Sequence, residues 1–155
     1  MVKRRFIIIT IISATVLILQ AANDQASDQA AIEKAVVEAY HRINASGTDV
    51  DRFFADILDF NNGMIIQNGT LFKTRQEAYD TVKKGFEGVA KVQRDCDQTY
   101  VKVLSPRHVL LTGTGVTKIS LENGQSFNSP FAVSLVFQLD HGQWKLLQGH
   151  YSVPM

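Results

Sequence analysis

Between Lys91 and Tyr151 the chain carries three turn signals, Ser105-Pro106, Asn123-Gly124 and His141-Gly142, each set between runs in which apolar and polar residues alternate. Asn-Gly flanked by such runs is the strongest short signal for a β-hairpin, because a two-residue turn that matches the twist of the strands needs φ > 0 at both positions. Four strands joined by three tight turns make an antiparallel meander. A sheet of that length has to bury one face, and the preceding chain must supply the cover.

That cover reads as helical. From Ala30 onward Ile32, Val36, Tyr40 and Ile43 recur at three- and four-residue spacing, with Glu33, Lys34, Glu38 and Arg42 mostly elsewhere. This is the pattern of an amphipathic helix, and Gly47 ends it. Thr48 is placed to cap a short second helix that buries Phe53 and Phe54, with Asp51 three residues after the cap. Asn62-Gly63 and Asn68-Gly69 bracket Met64-Ile65-Ile66-Gln67, which predicts a small hairpin turning at Asn68-Gly69. Thr74-Arg75-Gln76-Glu77 is a capping box: the Thr74 hydroxyl takes the Glu77 amide and the Glu77 carboxylate returns to the Thr74 amide. The helix it opens should bury Ala78, Val82 and Phe86 before stopping at Gly88. Helix, short helix, hairpin, helix and meander define an α+β domain with its helices on one sheet face.

Residues 1–22 stand apart from all this. Lys3, Arg4 and Arg5 precede an uncharged run from Phe6 to Leu19, and no acidic residue occurs before Asp24. That is the layout of a secretory signal peptide, with an uncleaved N-terminal anchor as the alternative. The expectation is export, periplasmic or secreted, of residues 23–155 as one domain, and roughly 130 residues suffice for a real core. With three of the sixteen Lys and Arg removed, the formal net charge of +1 falls to about −2, which does not suit a nucleic-acid binder. Beyond the N-terminal segment no membrane contact is expected. Cys96 is the sole cysteine, so no internal disulfide can form, and packing, including dimerisation, must hold the domain together.

Two-residue turns would also decide which residues share a face. A turn at His141-Gly142 sets Leu139, Phe137, Leu135 and Val133 against Trp144, Leu146, Gln148 and His150. The same register about Asn123-Gly124 adds Thr112 and Thr114, and a turn at Ser105-Pro106 adds Thr99, Asp97 and Asp95. The inner face then has an apolar half, which includes Leu110, Phe137, Trp144 and Leu146, and a polar half. From the polar half Asp97, Thr112, Thr114, Gln148 and His150, joined by Tyr40 from the first helix, are the candidates to line a small-molecule pocket. The outer face would carry Val109, Leu111, Gly113, Gly115, Val136 and Leu147, and this small, apolar surface calls for a partner sheet in a homodimer. His150 suits acid, base or hydrogen-bond donor duty near neutral pH, but a buried histidine satisfied by Ser and Thr neighbours is the favoured reading. No catalytic residue can be assigned. No metal or cofactor is expected: His41, His108, His141 and His150 lack ligand spacing, no Gly-x-Ser-x-Gly surrounds a serine, and Cys96 falls on the outer face. Asn44-Ala45-Ser46 and Asn68-Gly69-Thr70 match glycosylation acceptors.

The element order, the turn Ile65-Ile66-Gln67-Asn68-Gly69 before a capped helix, and the ending Gly142-Gln143-Trp144-Lys145-Leu146-Leu147-Gln148-Gly149-His150-Tyr151-Ser152 resemble the nuclear transport factor 2-like superfamily. Within it the likeness is to small SnoaL-like domains, over about residues 28–153. The resemblance implies a cone of cystatin-like type: a strongly curved antiparallel sheet wrapped around N-terminal helices, with a pocket at the open end and, commonly, a dimer. It implies two functions of different kinds, since fold alone does not settle activity. One is a pocket that binds a small, partly apolar molecule, with isomerase, dehydratase, cyclase or hydrolytic chemistry as the enzymatic version. The other is a non-catalytic dimeric assembly or peptide-binding module. In ketosteroid-isomerase-like members an aspartate base stands near the early hairpin, where this chain has Gln67-Asn68.

Overall fold

The computed structural model of the protein describes residues 27–59 and 65–153, so the expected export segment and the Asn62-Gly63 turn lie outside the described residues. Helix α1 covers residues 27–44, and the expected stripe is its buried one: Val36, Ala39, Tyr40 and Ile43 are at most 1% exposed. Gly47, at φ +62°, turns the chain after it. Helix α2, Val50–Ala55, is capped by Asp49 and not by Thr48; the Asp49 carboxylate accepts the Arg52 N–H at 2.9 Å. A carboxylate is favoured there over a hydroxyl because it also meets the positive end of the helix dipole.

The hairpin of β1, Ile65–Gln67, and β2, Thr70–Phe72, turns at Asn68-Gly69 with φ of 47° and 80°, as the sequence predicts. Thr74 caps helix α3, Arg75–Gly85, by accepting the Glu77 N–H at 3.1 Å. The return bond of Glu77 reaches the Lys73 amide, at 2.7 Å, instead of that of Thr74. Strands β3, Val89–Ser105, β4, His108–Leu121, β5, Ser126–Asp140, and β6, Gln143–Ser152, form the antiparallel meander. Strand β1 adds in parallel to β6, which makes the curved, unclosed sheet mixed, in the order β2-β1-β6-β5-β4-β3. Leu111, Leu135, Phe137 and Leu146 of its inner face pack with Val36, Tyr40, Ile43 and Phe54 of the helices in one core. The domain is therefore the expected α+β cone. Among the described residues no helix is long and apolar enough to cross a membrane.

Strand register departs from expectation at two of the three turns and at bulges in β3 and β6. Asn123-Gly124 is not a two-residue turn: the Leu121 N–H donates to the Gln125 carbonyl at 2.8 Å across three loop residues, of which only Gly124 has positive φ, +85°. Three-residue loops with glycine in the left-handed region are the next commonest hairpin connection. Ser120 consequently faces Ser126, and a slip of one residue exchanges the faces of β4. Val109, Leu111, Gly113 and Gly115 are buried inside the cone, while Leu110, Thr112 and Thr114 stand on the convex side.

In β6 the His141-Gly142 turn holds as expected as far as Leu146, opposite Phe137. Leu147 is then the extra residue of a bulge, Val136 faces Gln148, and Gly149 and Tyr151 turn inward while His150 turns out. The first turn of the meander is Pro106-Arg107, with Ser105 facing His108, and a bulge between Cys96 and Gln98 leaves Asp97 unpaired and exposed. Cys96 lies inside, not on the outer face, because it packs against the core. A side chain at Gly115 would collide with the Asp95 carbonyl and the Phe131 ring, so the inner row of β4 has to shrink to glycine where β3 presses close.

Candidate functional site

The concave face of the sheet encloses a cavity of about 230 Å³. Its wall is apolar: Phe53 and Phe54 of α2, Ile65 and Phe72 of the hairpin, Ala78 and Val82 of α3, and Phe131 of β5. Gln67, Asn68, Ser152 and Val153, all exposed, form part of its rim. Besides Asn44, Thr117 and Ser129, three ionisable side chains line the cavity, each put there by a separate feature of the fold. Tyr40 belongs to the buried stripe of α1. Arg94 stands on β3 across from Thr117, two residues from buried Val92 and in the same phase of the strand. Tyr151 is brought inward by the bulge at Leu147.

The Tyr40 hydroxyl is held by its neighbours: the Cys96 thiol donates to it at 3.3 Å, and Asn44 Nδ2 donates to Cys96 Sγ at 3.4 Å. Arg94 places its guanidinium over the Phe53 ring, 5.6 Å from the centroid. Its Nη1 is buried and has no hydrogen-bond partner in the protein, and the same is true of the Tyr151 hydroxyl. Burial lowers the pKa of Arg94 from the ordinary guanidinium value, against the opposing influence of Tyr151, Tyr40 and Cys96. Burial pushes Tyr151 up to about 12, with the charge of Arg94 working the other way. Tyr40 is raised too, by burial first and by its bond with Cys96 second. At neutral pH the site is therefore one guanidinium cation and two protonated phenols in an apolar wall. Among the described residues, the lining holds no Asp, Glu or His.

Of the six residues expected from the sequence to line a pocket, Tyr40 alone lines this cavity. Thr112, Thr114, Gln148 and His150 stand on the convex side, because the three-residue loop reverses β4 and the bulge reverses the end of β6. The expected row of Thr114, Val133 and His150 does not exist: Thr114 faces Ala132, and His150 faces Ser134. Asp97 is exposed at its bulge. Arg94 and Tyr151 were missed, although Val92-Gln93-Arg94-Asp95-Cys96 contains a signal for one of them, a cation in the apolar phase of an alternating strand.

A cone of two short and four long strands closed by helices over an apolar cavity defines the nuclear transport factor 2-like class. The chain belongs to the family of SnoaL-like domains, whose profile matches residues 34–155. Among solved structures it is similar to a nuclear transport factor 2-like superfamily protein of Salmonella enterica serovar Typhimurium, with a TM-score of 0.70 at 13% identity, covering 82% of this chain and 94% of that one. The hexachlorocyclohexane dehydrochlorinase LinA-type3 of Novosphingobium barchaimii gives 0.67 at 16% identity, covering 83% and 90%. A protein with a cystatin-like fold from Caulobacter vibrioides gives 0.59 at 13% identity, covering 83% and 91%. At such identities the likeness is one of fold. No curated protein sequence matches the chain.

Proposed function

We propose that this protein binds a small, largely apolar molecule carrying at least one hydrogen-bond acceptor, in the cavity between the helices and the sheet. The observation that carries the reading is the pair of buried polar atoms without protein partners, Arg94 Nη1 and Tyr151 Oη, in a lining made mainly of aromatic and aliphatic side chains, with Asn44, Thr117 and Ser129 as its other polar members inside the rim. A buried donor left unsatisfied costs about 1 to 3 kcal/mol, and a ligand acceptor would recover that. Isomerase, dehydratase or hydrolytic chemistry has less to support it. Proton abstraction needs a base of suitable strength, and the ionisable groups of the lining are a guanidinium and two phenols whose pKa values lie well above neutrality. The neutral dye N-phenyl-1-naphthylamine tests the binding reading. Its fluorescence should rise on mixing with the domain and should stay low with Ala78→Phe, which fills the wall; absence of uptake by the unaltered domain would defeat the proposal.

A dimer through the convex sheet face is the second reading, favoured by exposed Tyr100 and Leu104 on β3, at 64% and 57%. Sedimentation as a monomer at micromolar concentration would count against it. We also propose that the domain works after export directed by residues 1–22, which N-terminal sequencing of the protein recovered from its source checks: an intact Met1 in the cytosol would refute it.

A further inference from the structure

We infer that the ligand is a small organic acid, whose carboxylate sits against the Arg94 guanidinium and the Tyr151 hydroxyl while its apolar body lies along Phe53, Phe54 and Phe131. This rests on the pocket reading above and deepens it. The argument begins with charge. Arginine stays protonated in proteins, so burial does not neutralise Arg94. Buried cations are ordinarily paired with an anion, and among the described residues no carboxylate lines the cavity and no ion pair includes Arg94. Phe53 offers the cation only the face of a ring, which leaves Nη1, on the hydrogen-bonding edge of the guanidinium, without an acceptor.

Hydrogen-bond polarity narrows the class further. A guanidinium is a donor without acceptor capacity, and the Tyr151 phenol is a donor while it keeps its proton. Two unsatisfied donors beside one positive charge require an acceptor-rich anion. A planar carboxylate takes the guanidinium fork on its two oxygens and still has a lone pair for the phenol. A dianion such as a phosphate monoester fits less well, because one guanidinium and two protonated tyrosines would leave its second charge uncompensated against aromatic walls. A neutral amide or alcohol would leave the cation unpaired. The register supports a shared site: β3 delivers Arg94 and β6 delivers Tyr151 to the same cavity from opposite sides of β4 and β5.

The test compares hexanoate, octanoate and trans-cinnamate with their carboxamides, by calorimetry or by displacement of N-phenyl-1-naphthylamine at pH 7. In the unaltered domain at least one acid should bind on the order of tenfold or more tightly than its amide, as a charge-assisted hydrogen bond allows. Arg94→Met should bring acid and amide to parity, Arg94→Lys should keep part of the preference, and Tyr151→Phe should reduce it several-fold. If the domain takes up the dye yet no acid outbinds its amide, the carboxylate inference is overturned and the pocket reading stands. A preference that survives in both Arg94→Met and Tyr151→Phe overturns it as well. If neither dye nor acid enters, the pocket reading falls and this inference with it. Should Arg94→Met not fold, Arg94→Lys and the comparison in the unaltered domain still decide.

Discussion

Replacing Arg94 with methionine should make the ligand-free domain more stable. The guanidinium is largely buried, its Nη1 has no protein partner, and its pKa is lowered by that burial. Desolvating an ion in a protein costs several kcal/mol, and a partner of opposite charge is what ordinarily offsets it. Among the described residues Arg94 has only the ring of Phe53, 5.6 Å away, and a cation over an aromatic face returns about 0.5 to 2 kcal/mol. Methionine keeps most of the aliphatic stem that packs beside Phe53 and brings no charge. The balance is a gain of about 1 to 3 kcal/mol. For a domain of roughly 130 residues that corresponds to a rise in Tm of about 3 to 9 °C.

Thermal melts followed by circular dichroism without added ligand, with calorimetry to check that the transition is two-state, measure the shift. Arg94→Lys serves as control, since it keeps a buried charge and should show no comparable gain. A fall in Tm for Arg94→Met, or a change within 1 °C or so, would mean that the cation already has adequate partners in the folded chain; the reasoning that assigns it to a ligand would then fail. A gain in stability on deleting a functional group is the expected signature of a site that carries strain for binding.

Leu111→Ala should cost about 2 to 4 kcal/mol in denaturant unfolding, because Leu111 is completely buried, whereas Thr114→Ala should stay within about 0.5 kcal/mol; the opposite ranking would contradict the observed β4 register. Alkaline stability should depend on Tyr151. Its folded-state pKa of about 12 lies above the ordinary 10.0, so the folded chain holds this proton more tightly than the unfolded chain does. That contribution is whole below pH 10 and is lost as the pH rises towards 12. Between those limits the unaltered domain should lose about 2 to 3 kcal/mol relative to Tyr151→Phe. Chemical denaturation at stepped pH gives the difference, and parallel profiles for the two chains would refute the assignment.

The fold was legible because its signals are redundant. The α1 stripe, the Asn68-Gly69 turn, the Thr74 cap and the His141-Gly142 turn each predict the element observed, and an error of one residue, as at the α2 cap, where Asp49 replaces the expected Thr48, leaves the architecture intact. The site has no such redundancy. Which face a strand residue occupies depends on counting from the nearest turn, and that count has parity, so one extra residue moves every side chain to the other face. Asn123-Gly124 satisfies the composition of a two-residue turn, yet the chain forms three loop residues there. Leu147 enters β6 as a bulge with no glycine or proline to mark it. Together they send Thr112, Thr114, Gln148 and His150 outside and admit Gly113, Gly115 and Tyr151.

Residue size would have resolved the parity of β4. Of its two alternating rows, one reads Val109, Leu111, Gly113, Gly115, Thr117, Ile119 and the other Leu110, Thr112, Thr114, Val116, Lys118. A convex face open to water has no reason to shrink to glycine twice in succession, whereas a concave face pressed by a bending neighbour does. The first row fits the inside for that reason. Its bulky end, Val109 and Leu111, meets the core; its small end passes the point where the β3 backbone presses on Gly113 and Gly115, and then gives Thr117 and Ile119 to the cavity wall. Thr117 is the residue across from Arg94. Core and cavity are thus two ends of one row, and the cation sits where the row stops filling space. A cation at that end has no packing role that methionine could not serve better, and this is the physical ground for the proposal that it recognises an anion.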